Sequence, residues 1–344
     1  MLSLFMLLQS CEDDPAPKGK FEGGAIVVNE GGFGSANGTL TFFDLASGSI
    51  DQNIFRNEGG NFAGDVVQSI AFSGDKGYVV INGDNKVEIV NGNTFEHLET
   101  IESSDLDKPR YVEVIDDKAY ISVWGPYEEG GFSLIDSYVL VVDLNTNTVI
   151  KKIETDEGTE NLLVAEKYLF ASNYNFGASN SVAVIDPTTN SLVKHIELAS
   201  GPAGSVIDSN GKLWVLCTGD FGASNGELFR IHPETLEVEE SINLNVNPDV
   251  DLGITPDKSK LIYSVGSSIY SISISATVAP EDKLFEAEDV VYNYAMGVDP
   301  NSGNISIADA LNFATEGKVY VYTNSGIPVT SFKTGISPTQ VVFK

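Results

Sequence analysis

The sequence predicts an all-β chain folded as a seven-bladed β-propeller, and three observations predict it. From about residue 21 onward, short runs rich in Val, Ile, Tyr, Phe and Leu are cut by Gly, Asn, Asp, Ser and Pro, the pattern of strands separated by tight turns. No stretch of useful length carries a helical period. One unit recurs at roughly 40 to 50 residues, the spacing of propeller blades.

That unit is an apolar strand closed by Asp, Asn or His, then a short polar turn carrying Thr or Ser, then a second strand. It reads TLTFFDLAS at 39–47, KVEIVNGNT at 86–94, YVLVVDLNT at 138–146, SVAVIDPTT at 181–189 and ELFRIHPET at 227–235. The polar side chains bond the turn backbone and let the chain reverse, so each unit is the hairpin of a blade's third and fourth strands. Two more strands precede each hairpin, for example 109–114 with 118–123 and 202–207 with 212–216; weaker copies run through 249–275 and 296–323. Third strands centred near residues 41, 88, 140, 183, 229, 270 and 320 give seven blades of four strands. The first blade lacks an innermost strand before Ala25, while residues 338–344 (PTQVVFK) are a surplus strand. Closing the ring by joining that C-terminal strand to the first blade buries both edges; a β-sandwich or solenoid explains the missing and surplus strands less simply.

Ahead of the propeller domain (21–344), residues 1–10 form an apolar run too short to cross a membrane and read as the remnant of a signal peptide. It lacks a basic opening, so a start upstream of Met1 is expected. LQSC at 8–11 resembles a bacterial lipobox, with Cys11 as the lipidated N-terminus of the mature protein. The acidic EDDP that follows resembles the signal sending Bacteroidetes lipoproteins to the outer face of the outer membrane, or is a plain acidic tether; residues 11–20 are polar linker.

The formal net charge of −29, from 49 acidic and 20 basic residues, argues against nucleic acid and anionic lipid as partners, because phosphates are held by Lys and Arg. The membrane is then met only through the lipid anchor. With only Cys11 and Cys217 in the chain, no zinc motif or structural disulfide is expected. The acidic pairs Asp13-Asp14 and Glu128-Glu129 lack the spacing of a calcium loop. No catalytic motif appears: His97, His195 and His232 fall in or beside outer hairpins, away from any central site, and carboxylate pairs are too common in so acidic a chain to signal glycosidase chemistry. No metal, cofactor or catalytic role is therefore expected, and the chain reads as a binding protein.

Second-to-third-strand links and blade-to-blade links emerge on one face of a propeller. Here several of the former are related: EGGFGSANG at 30–38, NYNFGASN at 173–180, GDFGASNG at 219–226 and, more loosely, DALNFATEG at 309–317. Each sets an aromatic beside Gly and small polar residues. Phe33, Phe176 and Phe221 fit two roles, tucking beneath their own loops or stacking on a ligand. Trp124, Tyr127, Phe132 and Tyr174 fall outside the repeated pattern and are the stronger ligand-contact candidates, the first three on the longer insertion WGPYEEGGFSLID at 124–136. Blade-to-blade links add Phe62, Tyr111, Tyr292 and Tyr294, together with Arg110, which serves either a ligand or an ion pair with a nearby carboxylate.

The lipobox, the acidic tether, the hairpins and the NEGGFG opening at 29–34 together resemble the YncE-like, surface-layer-type propeller lipoproteins of Bacteroidetes, over residues 11–344. That group includes cell-surface proteins that capture cobalamin and hand it to a TonB-dependent outer-membrane transporter, and propellers that capture iron chelates. The resemblance implies a lipid-anchored protein on the outer cell surface, a bulky nutrient ligand with a corrinoid first, and a transporter partner. A siderophore or glycan stays open as ligand. So do a structural or adhesive protein without small-molecule ligand and a propeller hydrolase or lyase.

Overall fold

The computed structural model describes residues 19–56, 60, 62–131, 133–220 and 222–344. The lipobox with Cys11 lies outside them, as do Phe132 and Phe221. Seven four-stranded antiparallel sheets make up the described chain, and its one helical piece is the single turn Asn175–Gly177.

Blade one runs outward from Pro338–Phe343 through Gly24–Asn29 and Thr39–Asp44 to Ile50–Gln52. Blade two is Val67–Ser73, Lys76–Ile81, Lys86–Asn91 and His97–Glu102. Blade three is Pro109–Ile115, Lys118–Val123, Tyr138–Asp143 and Thr148–Glu154. Blade four is Thr159–Ala165, Tyr168–Asn173, Ser181–Asp186 and Ser191–Glu197. Blade five is Pro202–Ile207, Leu213–Cys217, Glu227–His232 and Glu237–Asn243. Blade six is Leu252–Ile254, Lys260–Val265, Ser268–Ser273 and Phe285–Glu286, and blade seven is Asn293–Val298, Ile305–Asp309, Glu316–Tyr322 and Pro328–Ile336. The seven predicted third strands all fall where the sequence places them.

The repeated turns work as their chemistry requires. Asp44 accepts from the Ala46 and Ser47 amides at 3.0 and 2.6 Å, Asn91 from those of Asn93 and Thr94 at 2.9 and 3.0 Å, and Asp186 from that of Thr188 at 2.8 Å. In blade five His232 Nδ1 takes the same place, accepting from Glu234 and Thr235 at 3.3 and 3.4 Å. Second and third strands are buried on both faces because blades stack on each other, which is why they read as continuous apolar runs. Between blades two and three, for instance, Val80, Val87 and Ile89 pack on Val112, Ile121 and Leu140.

Closure follows the expected route. Residues 338–343 pair antiparallel with Gly24–Asn29, with Val341 opposite Val27. Ala25, Val27 and Val341 pack on Ala295, Val319 and Phe332 of blade seven, and Phe43 stacks on Phe332 at 4.3 Å.

The innermost strands carry a feature that the repeat does not reveal. In six blades the pairing with the second strand slips near its start, leaving extra residues: Thr339, Gln68, Arg110 with Tyr111, Glu160 with Asn161, Ala203 with Gly204, and Tyr294. Such bulges bend the strand and re-aim side chains.

Deleting residues 336–344 should unfold the ring rather than fray it, since two strand edges and several apolar side chains worth about 1.5–3 kcal/mol each are exposed together. A fall in melting temperature of roughly 10 °C or more is expected. A truncated protein melting with the full chain would contradict closure by this strand.

Candidate functional site

The bulged residues meet at the propeller axis. A cavity of about 590 Å³ lies there, lined by those residues, by second-to-third-strand loops (Glu30, Trp124, Tyr174, Phe176) and by blade-to-blade links (Asn247, Asp249, Tyr292). Its volume falls within the ~300–1,000 Å³ of small-molecule sites.

Among the described residues, Arg110 is the one base in the lining. Its Nε donates to both oxygens of Glu160 at 3.1 and 3.0 Å, its Nη1 donates to Gln68, and its guanidinium lies 3.9 Å from the centre of the Trp124 ring. Burial is the largest influence on Arg110 and works against its charge, but Glu160, with Tyr111 and Glu30, together outweighs it and the pKa is raised; burial raises the Glu160 carboxyl against the pull of Arg110, and the 3.0 Å Nε contact is that of an ion pair. Removing either partner would strand a buried charge. The ion-pair role weighed for Arg110 is thus the one it plays, while it lines the cavity. The Trp124 ring is fixed by the start of its own loop: Ser137 Oγ donates to the Trp124 carbonyl at 2.6 Å and accepts from the Gly158 amide at 2.8 Å. The indole Nε1 is buried without a hydrogen bond of ordinary geometry, yet it faces Glu160 closely enough to favour that carboxylate's charge.

Three further carboxyls surround this pair. Glu30 accepts from Tyr294 Oη, 3.1 Å from each oxygen, and from the Thr339 side chain. Asp249 accepts from Ser264 Oγ, the Gly266 amide and Asn293 Nδ2 at 2.8, 3.0 and 3.1 Å. Asp251 accepts from the Met296 amide of the next blade at 2.7 Å, as Gln340 accepts from the Ile70 amide at 2.9 Å. Burial raises the pKa of all three, Asp251 to about 7. Asp251 retains some exposure, on the cavity side.

The aromatic wall is only partly as the sequence suggests. Trp124, Tyr174, Phe176 and Tyr294 line the cavity together with Arg110. Phe176 does not tuck beneath its own loop: it meets the Trp124 ring of the neighbouring blade edge-on at 5.2 Å. Its backbone is left-handed, φ 52°, an unusual state for an aromatic residue. The next residue must be glycine, since a Cβ on Gly177 would sit 2.7 Å from the Gly219 carbonyl of blade five. Phe33 does not tuck either, being 92% exposed. Tyr127 stands apart, outside the lining, with the Lys108 ammonium 5.2 Å from its ring centre, because the bridge between Tyr127 and Leu134 folds the insertion back on itself. Tyr292 and Tyr294 are joined by Phe313, whose ring lies 4.8 and 5.0 Å from theirs. Glu30, Gln68, Glu160, Asp249 and Asp251 were not singled out by sequence. For Gln68 and Glu160 the usable signal is a polar residue at the second position of an innermost strand; Glu30, Asp249 and Asp251 lie outside the strands and carry no such signal.

The histidines sit in the outer hairpins, as expected: His97 and His195 on fourth strands and His232 at the end of the third strand of blade five. His195 Nδ1 meets Asp156 at 2.8 Å and Ser181 Oγ at 3.5 Å, but Ser181 is fully buried and shares the nitrogen that the carboxylate holds. That is a structural network, without the opposite-nitrogen geometry of a Ser-His-Asp triad. Cys217 is buried and free, its thiol pKa raised by burial, so it is inert.

Fold and cavity define a seven-bladed propeller with a polar-floored, aromatic-walled axial pocket. The chain belongs to the family described as Domain of unknown function (DUF5074), matched over residues 23–336. No curated protein matches it. Among solved structures it is similar to a quinoprotein alcohol dehydrogenase-like protein from Bacteroides thetaiotaomicron, at 14% identity and a TM-score of 0.71 over 94% of this chain and 79% of that one. A functionally unknown protein from Desulfotomaculum acetoxidans matches at 13% identity and a TM-score of 0.69, over 93% of this chain and 98% of that one. Hydrazine synthase from Kuenenia stuttgartiensis matches at 16% identity and a TM-score of 0.61, over 81% and 92%. At these identities the likeness is one of fold.

Asp251 gives the cavity a pH signature. Its folded pKa, about 7, lies above the ordinary 3.8, so the stability it contributes is full below about pH 4 and is lost as pH rises through 7. Glu113, raised to about 6 by burial, acts in the same direction. Asp251→Asn keeps an acceptor for the Met296 amide and should raise stability at pH 8 by up to about 4 kcal/mol, less what cavity water screens. The gain should vanish at pH 4 in thermal melts; parallel melting curves at every pH would contradict it.

Proposed function

We propose that this chain is a lipid-anchored protein of the outer cell surface that captures a bulky ligand at the axial cavity and passes it to a TonB-dependent outer-membrane transporter. The cavity itself carries the binding part of the proposal: the innermost strands depart from regular pairing where their side chains gather around it. A corrinoid is the first choice of ligand. The cavity takes one end of such a molecule, while Phe176, Tyr292 and Phe313, all substantially exposed, offer ring faces to a planar macrocycle at the mouth. Surface display and the transporter rest on the LQSC and EDDP segments and on the family resemblance they carry.

Calorimetry with cobalamin, a ferric siderophore and an oligosaccharide tests capture. Cobalamin is expected to bind. Tyr174→Ala combined with Phe176→Ala should weaken binding by about 1–3 kcal/mol, and Tyr127→Ala by less than about 0.5 kcal/mol. Heat from the siderophore or glycan alone would change the ligand class, and no heat from any of the three would favour an adhesive or structural role. Anchoring is tested separately: Cys11→Ala should release soluble protein, and wild-type protein resisting protease added to intact cells would contradict surface display.

A further inference from the structure

The charge of the cavity is lopsided. Among the described residues four carboxyls line it, Glu30, Glu160, Asp249 and Asp251, against the single guanidinium of Arg110. Arg110 is committed to Glu160 and Gln68. The partners of the other three carboxyls are neutral: a phenol and a threonine side chain for Glu30, an amide, a serine and an asparagine for Asp249, and one amide for Asp251. Neutral groups supply their hydrogen bonds, and the field of Arg110, which favours the Glu30 charge, is the one cationic influence from the described residues of the lining against four carboxyls. Around these carboxyls stand the rings of Trp124, Tyr174, Phe176, Tyr292 and Tyr294, whose faces are electron-rich. Carboxylates and ring faces in one partly desolvated pocket attract the same class of group, an organic cation, and repel an anion.

We propose that the cavity takes a positively charged organic group, an ammonium on an apolar body, as the part of the ligand that enters it. This rests on the axial cavity being the ligand site proposed above; a corrinoid carries no ammonium, so the inference points the cavity to a cationic ligand of another class. Glu30 is the principal countercharge, since its hydrogen-bond partners are both uncharged, and Tyr292, at the mouth, supplies a ring face.

The probes are phenyltrimethylammonium, its neutral isostere tert-butylbenzene and the anion benzenesulfonate, titrated at low salt with the Trp124 fluorescence and calorimetry as readouts. Trp214, the second tryptophan, is fully buried and serves as a constant background. Phenyltrimethylammonium is expected to bind at least tenfold more tightly than tert-butylbenzene, with benzenesulfonate not binding. Glu30→Gln, which keeps an acceptor for Tyr294, should weaken the cation about tenfold and leave the neutral probe unchanged; Tyr292→Leu should weaken the cation about threefold. Equal binding of cation and isostere, preference for the anion, or a cation affinity indifferent to both substitutions would overturn the proposal. Cobalamin binding with no response to phenyltrimethylammonium would sink the cation and leave capture standing. Cation binding without heat from cobalamin, siderophore or glycan would do the reverse.

Discussion

A propeller turns the innermost strand of every blade edge-on to the axis, where no further strand can pair with it. The backbone groups of that edge must still be satisfied, and in this chain side chains from the preceding blade do it. Ser69 Oγ donates to the Arg110 carbonyl at 2.7 Å, Asn82 Nδ2 to the Pro109 carbonyl at 3.1 Å, and the Ile70 and Met296 amides donate to Gln340 and Asp251. The polar character of the axis thus begins as a structural requirement. It becomes a site because bulges at the starts of these strands turn Gln68, Arg110, Glu160 and Tyr294 into the space that the ring leaves open.

Ring and site are therefore coupled mechanically as well as spatially. Glu30 comes from the loop after the second strand of blade one, whose innermost strand is the C-terminal segment, and its partners Tyr294 and Thr339 come from blade seven and from that closing strand. Its carboxylate spans the seam where the ring closes. The Arg110 and Glu160 pair likewise joins blades three and four. Loss of closure would separate Glu30, Thr339 and Tyr294, and these contacts in turn tie the seam together.

The fold was legible because its determinants are local and repeated. An Asp, Asn or His closing a run of branched residues specifies a hairpin from nearest neighbours alone, and His232 shows that the acceptor matters more than the residue type. Closure was legible as a count of strands, one missing at Ala25 and one left over at 338–344. The site was legible only where residue type was informative by itself, as with Trp124, Tyr174, Tyr294 and the scarce base Arg110. Glu160 and Asp251 look like any of many acids in an acidic chain, and only the bulge and the neighbouring blade select them. Tyr127 shows the opposite failure: sharing a loop with Trp124 does not bring it to the axis, because the insertion folds back through its own bridge to Leu134.

If the axis is where a ligand binds, its effect should be felt along the inner edges and the loops that line the cavity, not on the outer strands. Hydrogen–deuterium exchange of the protein with and without saturating phenyltrimethylammonium measures this directly. Slower exchange confined to residues 67–70, 109–112, 159–162 and 293–296 and to the cavity-lining loops at 29–31, 174–177 and 291–292, with the outer strands unchanged, is the predicted result. Slowing on the outer strands or on the opposite face, with the inner edges unaffected, would contradict it.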